Sequence, residues 1–285
     1  MPVADTIKTL INRRGLQSIS LPFINGLAKL QRHGMRISLD DGIWIHQTPC
    51  GYFAYHQPYL RLDLARLDEF ARQHYFWGYK PKAGDVVMEV GAGVGEETLT
   101  FSRAVGECGK VISIEAHPRT YHCLKKLVEY NRLRNVIPIH MAVTEPGCSV
   151  VTIEDDNQYL ANRLNHGAGV AVPATTIDAI HQQLNLGRVH FLKMNIEGSE
   201  RLAIRGMAAT LKQLEILCVS CHDFLAQCAG DENLRTKGSV QAFLEQHQFD
   251  VVEREEPGLP PWARDQLWAY NPDIVEKRTA QGNPD

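Results

Sequence analysis

The sequence predicts an α/β protein, with a mostly parallel sheet that helices cover on both faces. The first observation is that, from Pro81 onward, apolar runs of strand length alternate with segments of helix length. The second is that the apolar run 86–90 opens directly into a glycine-rich turn, 91–95. Such a turn brings bare backbone against a nucleotide-like ligand in α/β proteins. At 285 residues, the chain can form one large domain with an additional segment, or two modest domains.

The elements are predicted in chain order from this alternation. Residues 1–80 lack it, and the helical spacing of Leu60, Leu64, Leu67 and Phe70 predicts an amphipathic helix within 58–75. Strands are predicted at 86–90, 111–115, 136–141, 189–194 and 215–220, an extended pair at 149–153 and 170–175, and helices at 96–105, 118–131, 176–184, 199–212 and 237–247. The runs 250–254 and 266–270 predict an antiparallel hairpin at the sheet edge.

This pattern predicts three regions along the chain. We expect an N-terminal cap segment at 1–80, the main ligand-binding domain at 81–272 and a flexible tail at 273–285. The polar stretch 155–169 is interpreted either as a lid over the substrate or as a plain solvated loop.

Composition excludes several classes of function. Formal net charge is −3 and the basic residues are scattered, so no electrostatic footprint for nucleic acid is visible. Seven cysteines form no disulfide framework, which favours a reducing, cytoplasmic setting, and the Cys218/Cys221 pair lies in a predicted buried strand rather than a zinc site. The apolar segment 16–30 is interrupted by polar residues and falls short of the roughly 18 residues that span a bilayer. We expect a packed helix there, with contact to a membrane surface or a partner as the alternative.

The residues around the glycine turn restrict the class of ligand that it can bind. A dinucleotide fingerprint needs glycine or alanine where this chain has Glu96, and the carboxylates of Glu96 and Glu97 would repel a pyrophosphate. S-adenosyl-L-methionine carries no phosphate, and its ammonium and sulfonium groups are cations that suit such a turn. Glu115 ends the next predicted strand, about 20 residues past the turn, where these folds place a ribose ligand. A purely structural turn and a nicotinamide dehydrogenase remain the alternatives.

Polar residues at two further strand ends are candidates for chemistry. Asn195 and Glu197 follow the fourth parallel strand, and His222 and Asp223 follow the fifth. We expect His222 to remove a proton from a hydroxyl as general base, while Glu197 and Asn195 orient the acceptor. If a divalent metal takes part, Glu197, His222 and Asp223 are its candidate ligands. The structural alternatives are that Glu197 caps the following helix, that Asn195 bonds the loop backbone and that His222 is a hydrogen-bonded structural histidine.

Several motifs occur together between about Thr48 and Tyr270. They are the segment 84–98 with its glycine turn, Ile114-Glu115-Ala116-His117-Pro118, Asn131 with Asn135-Val136, and Lys193-Met194-Asn195-Ile196-Glu197-Gly198-Ser199-Glu200. In this combination the chain resembles the FkbM family of S-adenosylmethionine-dependent methyltransferases.

The resemblance implies a Rossmann-like class I methyltransferase fold with a seven-stranded sheet. It also implies cofactor contacts at Glu89, Gly91, Gly93, Gly95, at Glu115 for the ribose and at Ala142 next to the adenine. Beside these we expect cofactor contacts at Ala92, Glu97, Ala116, Met141 and Asn195. One departure stands out, because the family usually has aspartate where this chain has Asn195, and asparagine cannot act as a base.

We therefore expect a methyltransferase that uses S-adenosyl-L-methionine and releases S-adenosylhomocysteine. The resemblance implies a hydroxyl acceptor on a natural product or a saccharide-containing metabolite. N-methylation stays open, since an amine needs no strong base, and so does a cofactor-binding partner subunit that has lost catalysis, which Asn195 prompts. A homodimer through the N-terminal segment is left open as well.

Overall fold

The computed structural model describes residues 16–30, 34–154, 169–230, 232–254 and 256–275. Nearly all of the stretch interpreted as a lid, 155–168, and most of the expected tail, 276–285, lie outside the described residues.

The N-terminal part contains a helix, a small antiparallel sheet and a second helix. These are α1 (Gln17–Leu30), the strands β1 (Arg36–Asp40), β2 (Ile43–Thr48) and β3 (Gly51–Tyr55), and α2 (Leu64–His74). The prediction of helices at 16–30 and within 58–75 is confirmed, whereas the three-stranded meander was missed. Its signal was present, because Asp41-Gly42 between alternating apolar residues is typical of a hairpin turn, and both residues have positive φ, 50° and 76°.

The meander packs on the main domain rather than standing apart from it. Phe53 and Tyr55 of β3 join a buried cluster with Val94 and Leu127. The side chain of Asn131 accepts from the backbone N–H of Tyr52 at 2.9 Å and donates to the Tyr52 carbonyl at 2.7 Å, as a neighbouring strand would. The predicted cap therefore lies against the helix that contains Leu127 and Asn131.

The rest of the chain follows the predicted alternation closely. Its elements are β4 (Val86–Val90), α3 (Glu96–Val105), β5 (Lys110–Glu115), α4 (Pro118–Asn131), β6 (Val136–His140), β7 (Ala142–Val143), β8 (Val150–Ile153), β9 (Val170–Thr175), α5 (Ile177–Gln183), β10 (Val189–Met194), α6 (Glu200–Ala203), β11 (Leu214–Ser220), α7 (Asp223–Ala229), α8 (Lys237–Gln246), β12 (Asp250–Glu253), α9 (Pro261–Arg264) and β13 (Gln266–Tyr270).

Seven strands form one sheet in the order β12-β13-β11-β10-β4-β5-β6. Strands β11, β10, β4, β5 and β6 run parallel, and β13 pairs antiparallel with both β11 and β12. The expected seven-stranded, mostly parallel sheet with an antiparallel edge hairpin is confirmed. Apolar side chains cover both faces, and on one of them the rings of Tyr79, Phe191 and Trp268 stack in sequence.

The prediction of one helix over 199–212 was wrong. The segment instead forms α6 and two short 3₁₀ turns, Ile204–Gly206 and Thr210–Gln213. Gly206 explains the interruption, since a Cβ at this position would lie 2.5 Å from the carbonyl oxygen of Thr144. This close packing holds Gly206 against the backbone that follows β7. Helix α7 was not predicted from the sequence.

Within the described ranges, every helix is too short or too polar to cross a lipid bilayer.

Candidate functional site

A cleft lies at the carboxyl ends of β4, β5 and β10. Four segments contribute most of its wall: the glycine turn, 114–117, 141–143 and 195–199. In a parallel sheet this edge is where ligands bind, because the loops that follow neighbouring strands meet there.

The glycine turn owes its shape to close backbone packing. Gly91 has φ 78°, and a Cβ at this position would lie 1.9 Å from the carbonyl oxygen of Asn195. Gly93 has φ 58°, and a Cβ there would meet no atom within 4 Å. The turn is therefore pressed against the end of β10 at Gly91 and presents open backbone to the cleft at Gly93.

Glu115 is fixed at the end of β5 by backbone donors. One carboxylate oxygen accepts from the N–H of Gly93 at 2.9 Å and the other from the N–H of His117 at 2.8 Å. Burial raises the pKa of Glu115 to about 7, against the opposing effect of these hydrogen bonds. Each oxygen keeps a lone pair, so two hydroxyl donors from a ribose would complete the site and favour the ionised form.

Below the turn lies a buried polar network. Lys193, 1% exposed, donates from Nζ to the carbonyl oxygen of Gly91 at 2.7 Å and lies 3.6 Å from a carboxylate oxygen of Glu89. Thr98 and Ser113 donate to the other oxygen of Glu89 at 2.5 and 3.1 Å. Burial raises the pKa of Glu89 to about 7, while Lys193 acts to lower it. The network holds the turn in place through the hydrogen bond of Lys193 to Gly91.

Asn195 presents an unsatisfied acceptor at the cleft. Its backbone N–H donates to the carbonyl of Val90 at 3.0 Å, which holds the end of β10 beside β4. Its side-chain Oδ1 is buried and accepts no hydrogen bond from the described residues. A buried acceptor without a donor is costly, so this atom suits a cationic or N–H group of a bound ligand.

A second cluster, at the ends of β10 and β11, places His222 between two carboxylates. Its Nδ1 lies 2.9 Å from Glu200 Oε1, and its Nε2 lies 3.5 Å from Glu197 Oε1. Glu200 also accepts from the N–H groups of Ile196 and Gly198 and from the Thr236 hydroxyl. Glu197, which has φ 53° and is 24% exposed, lines the cleft.

The role of His222 as general base stays a prediction, but the two neighbouring carboxylates favour another residue for that role. Burial acts to lower the pKa of His222, whereas the carboxylates of Glu200 and Glu197 raise it to about 10. This arrangement favours the protonated form of the ring over a form that is free to accept a proton. Sequence reasoning missed Glu200, although its place in the 193–200 motif was a signal. Of this cluster, Glu197 is the carboxylate that faces the cleft.

The conditional metal site is not assembled either. The carboxylate of Asp223 accepts from the N–H groups of Thr236 and Lys237 at the start of α8, where it acts as a helix cap. Within the part of the chain that the structure describes, no three His, Cys, Asp or Glu side chains are grouped to hold a metal ion.

The remaining predicted residues fall into two groups. Those that line the cleft are Gly91, Gly93, Glu115, Ala116, Met141, Ala142, Asn195 and Glu197. Those outside its wall are Glu89, Ala92, Gly95, Glu97 and His222. In the second group, Ala92 and Gly95 belong to the turn, Glu89 and Glu97 lie in the strand before it and the helix after it, and His222 lies in the second cluster.

The contents of the cleft wall fit S-adenosyl-L-methionine. Glu115 would hold the ribose hydroxyls, Asn195 Oδ1 would accept from the ammonium group, and the space over Gly93 is free for backbone contact. Met141 and Ala142 add an apolar surface next to Glu115, as an adenine ring requires.

Comparison with known proteins gives a family match. The family model described as Methyltransferase FkbM domain matches residues 89–254. A curated relative, the tRNA (adenine(58)-N(1))-methyltransferase catalytic subunit TRM61 of Yarrowia lipolytica, is 39% identical over 75 residues, which are 26% of this chain and 19% of that protein. The chain thus matches about a fifth of that relative's length.

Among solved structures, the chain is similar to the methyltransferase FkbM from Methylobacillus flagellatus KT, with 15% identity, a TM-score of 0.47 and coverage of 74% of this chain and 51% of the other. It is also similar to fibrillarin from Aeropyrum pernix with bound S-adenosyl-L-methionine, with 14% identity, a TM-score of 0.43 and coverage of 82% and 96%.

Proposed function

The chain belongs to the methyltransferase FkbM family, and on that premise we propose that it methylates a hydroxyl oxygen of a small natural product or saccharide-containing metabolite. The cofactor is S-adenosyl-L-methionine. When bound, it supplies a methyl group on a sulfonium that is already activated for transfer. The observation that supports this proposal best is that Glu115 and Asn195 line one cleft, where Glu115 keeps acceptor capacity and Asn195 Oδ1 is buried without a donor among the described residues.

The protein's contribution is mainly placement. Glu115 and the glycine turn fix the cofactor, and a bound acceptor aligned with the methyl group reacts with little further help. Lys193 fixes the Gly91 carbonyl through its hydrogen bond. Binding and orientation account for most of the proposed rate enhancement.

Glu197 is the proposed proton acceptor in place of His222. Its carboxylate lines the cleft, and the imidazolium of His222, 3.5 Å from Oε1, keeps it oriented. With the cofactor and acceptor bound, Glu197 would accept the hydroxyl proton as the oxygen takes the methyl group, and S-adenosylhomocysteine would be the other product. His222 is then a positioning residue, and Glu200 holds it in turn.

A methyl-transfer assay with labelled cofactor tests the proposal. The acceptor panel consists of matched alcohols and amines on natural-product and saccharide scaffolds. We expect transfer to alcohols, a fall in kcat of about tenfold or more for Glu197→Gln, and unchanged binding of S-adenosylhomocysteine by that variant. Transfer to amines alone, with Glu197→Gln fully active, would replace O-methylation by N-methylation. Tight cofactor binding without turnover on any acceptor would indicate a binding subunit.

The proposed setting is the reducing cytoplasm. Cys123, Cys218 and Cys221 are buried as free thiols, and burial raises the pKa of each. Such thiols behave as small apolar side chains and suit a compartment in which disulfides do not form.

A further inference from the structure

Helix α1 is apolar on two opposite faces. One face packs on the meander, with Ile24 and Ala28 buried against Ile37 and Trp44. The opposite face exposes Leu16, Ile19 and Phe23, which are 40%, 75% and 67% accessible. They are three of the five exposed large apolar side chains found in the described residues.

Helical geometry places these three side chains in one row. Positions 16, 19 and 23 follow the i, i+3, i+7 spacing of a single helix face. Gly26 continues the row, and a Cβ at Gly26 would meet no atom within 4 Å, so this side of the helix is open. A row of large apolar side chains facing water marks a binding surface more often than it occurs by chance.

Positive charge lies near the C-terminal end of α1. A recess beside α1 is lined by Asn25, Lys29, Met35 and Arg36, among others. The side chain of Asn25 already has hydrogen-bond partners, because it donates to the carbonyl of Ile37 and accepts from the N–H of Ile37. Lys29 and Arg36 form no ion pair within the part of the chain that the structure describes.

The sequence around α1 has the same sign of charge. Residues 1–36 contain six Lys or Arg and a single Asp, whereas the whole chain has a net charge of −3. This local excess of basic residues is typical of interfacial helices that bind anionic lipid.

We propose that α1 docks the protein on a bilayer surface that carries anionic head groups. Leu16, Ile19 and Phe23 enter the boundary between head groups and acyl chains, and Lys29 and Arg36 contact the anionic head groups. A second copy of the chain fits less well, because a two-fold contact would bring the basic recess against itself. A folded protein partner fits less well too, since a single helix row offers far less than the roughly 800 Å² per partner of a stable interface.

Vesicle co-sedimentation of the full chain tests the proposal. The vesicles contain phosphatidylcholine alone, or phosphatidylcholine and phosphatidylglycerol at about three to one. We expect binding to the anionic vesicles that weakens at high salt, and a loss of about tenfold or more in the partition coefficient for Ile19→Ser with Phe23→Ser. Val150→Ser is the matched control, since Val150 is 60% exposed on β8 and should leave binding unchanged. Lys29→Glu with Arg36→Glu should weaken binding to the anionic vesicles only.

Three results would overturn the proposal. The first is no sedimentation of the wild-type chain with anionic vesicles. The second is an equal loss of binding in the Val150→Ser control. The third is a wild-type dimer in light scattering that the Ile19→Ser, Phe23→Ser variant turns into a monomer, which would make the row a contact between copies of the chain. Unchanged circular dichroism and thermal unfolding establish that the variants fold, as expected for exposed side chains.

Discussion

Replacing His222 by glutamine should destabilise the fold strongly through loss of one buried charge. The His222 side chain is 5% exposed and lies between Glu200, at 2.9 Å, and Glu197, at 3.5 Å. Glutamine keeps a hydrogen-bond donor of similar reach, so packing changes little. What disappears is the cation that compensates the fully buried carboxylate of Glu200.

The size of the effect follows from the pKa of His222. Burial acts to lower this pKa, yet the two carboxylates raise it from 6.5 to about 10. A rise of this size corresponds to roughly 5 kcal/mol at most, and removal of one partner from a buried ion pair costs about 3–5 kcal/mol. We therefore expect His222→Gln to lower the free energy of unfolding by about 3–5 kcal/mol at pH 6.

The pH dependence has a definite sign. Because the folded-state pKa of His222 lies above its unfolded-state value, the stabilisation is complete below pH 6.5 and is lost as the pH rises through 10. The difference in stability between wild type and His222→Gln should therefore shrink between pH 6.5 and 10. The lowered pKa of Glu200 keeps that carboxylate ionised at pH 6.

Urea unfolding followed by tryptophan fluorescence measures both quantities. The control is His247→Gln, because the His247 ring bonds the carbonyl of Phe243 and lies beside no carboxylate among the described residues, so that this change should alter stability little. The double variant His222→Gln with Glu200→Gln removes both charges and should cost less than the sum of the single variants. A loss below about 1 kcal/mol for His222→Gln at pH 6, or an equal loss at pH 6 and 10, would refute the ion-pair reasoning.

Three further predictions concern the glycine turn and its supports. Glu115→Ala should weaken binding of S-adenosylhomocysteine by about tenfold or more in isothermal titration, whereas the exposed Glu107→Ala should not; equal affinities would contradict the ribose role. Gly91→Ala places a Cβ 1.9 Å from a carbonyl oxygen and should abolish binding of S-adenosylhomocysteine. Gly106 has a similar positive φ but open space around it, so Gly106→Ala should lower the free energy of unfolding by only about 1 kcal/mol. Equal falls in the unfolding temperature of the two variants would count against the packing argument. Lys193→Met removes the cation beside the buried carboxylate of Glu89 and should lower the free energy of unfolding in urea by about 3–5 kcal/mol. Part of this loss should be recovered when Glu89→Gln is added. A loss under about 1 kcal/mol would show that the ion pair is not needed.

The local parts of the fold could be read from the sequence. The segment 86–105 was predicted with its bounds, because an apolar run, three glycines and a polar helix start are all signals within 20 residues. The meander 36–55 was not predicted, because its three short strands pair without an intervening helix and so lack the alternation of the main domain; Asp41-Gly42 was the local signal of a hairpin.

The position of the site could be predicted from the sequence, but the charge states of its side chains could not. Strand ends had to meet at one edge, so Glu115 and Asn195 could be placed in one cleft in advance. The charge state of His222 could not, because it depends on Glu200, which approaches only through the parallel register of β10 and β11. The hydrogen bond of Lys193 to the Gly91 carbonyl joins residues 102 positions apart. It likewise depends on the pairing of strands, here of β10 with β4.

The position of β13 within the sheet makes its neighbour depend on the last strand of the chain. This strand comes latest of the seven in sequence, yet it lies between β11 and β12 and pairs with β11 from Ile216 to Ser220. Without β13, the strand β11, which is buried along its whole length in the finished fold, would be an open sheet edge. A cut in the connection before β13 should therefore yield a chain that aggregates rather than a stable fragment.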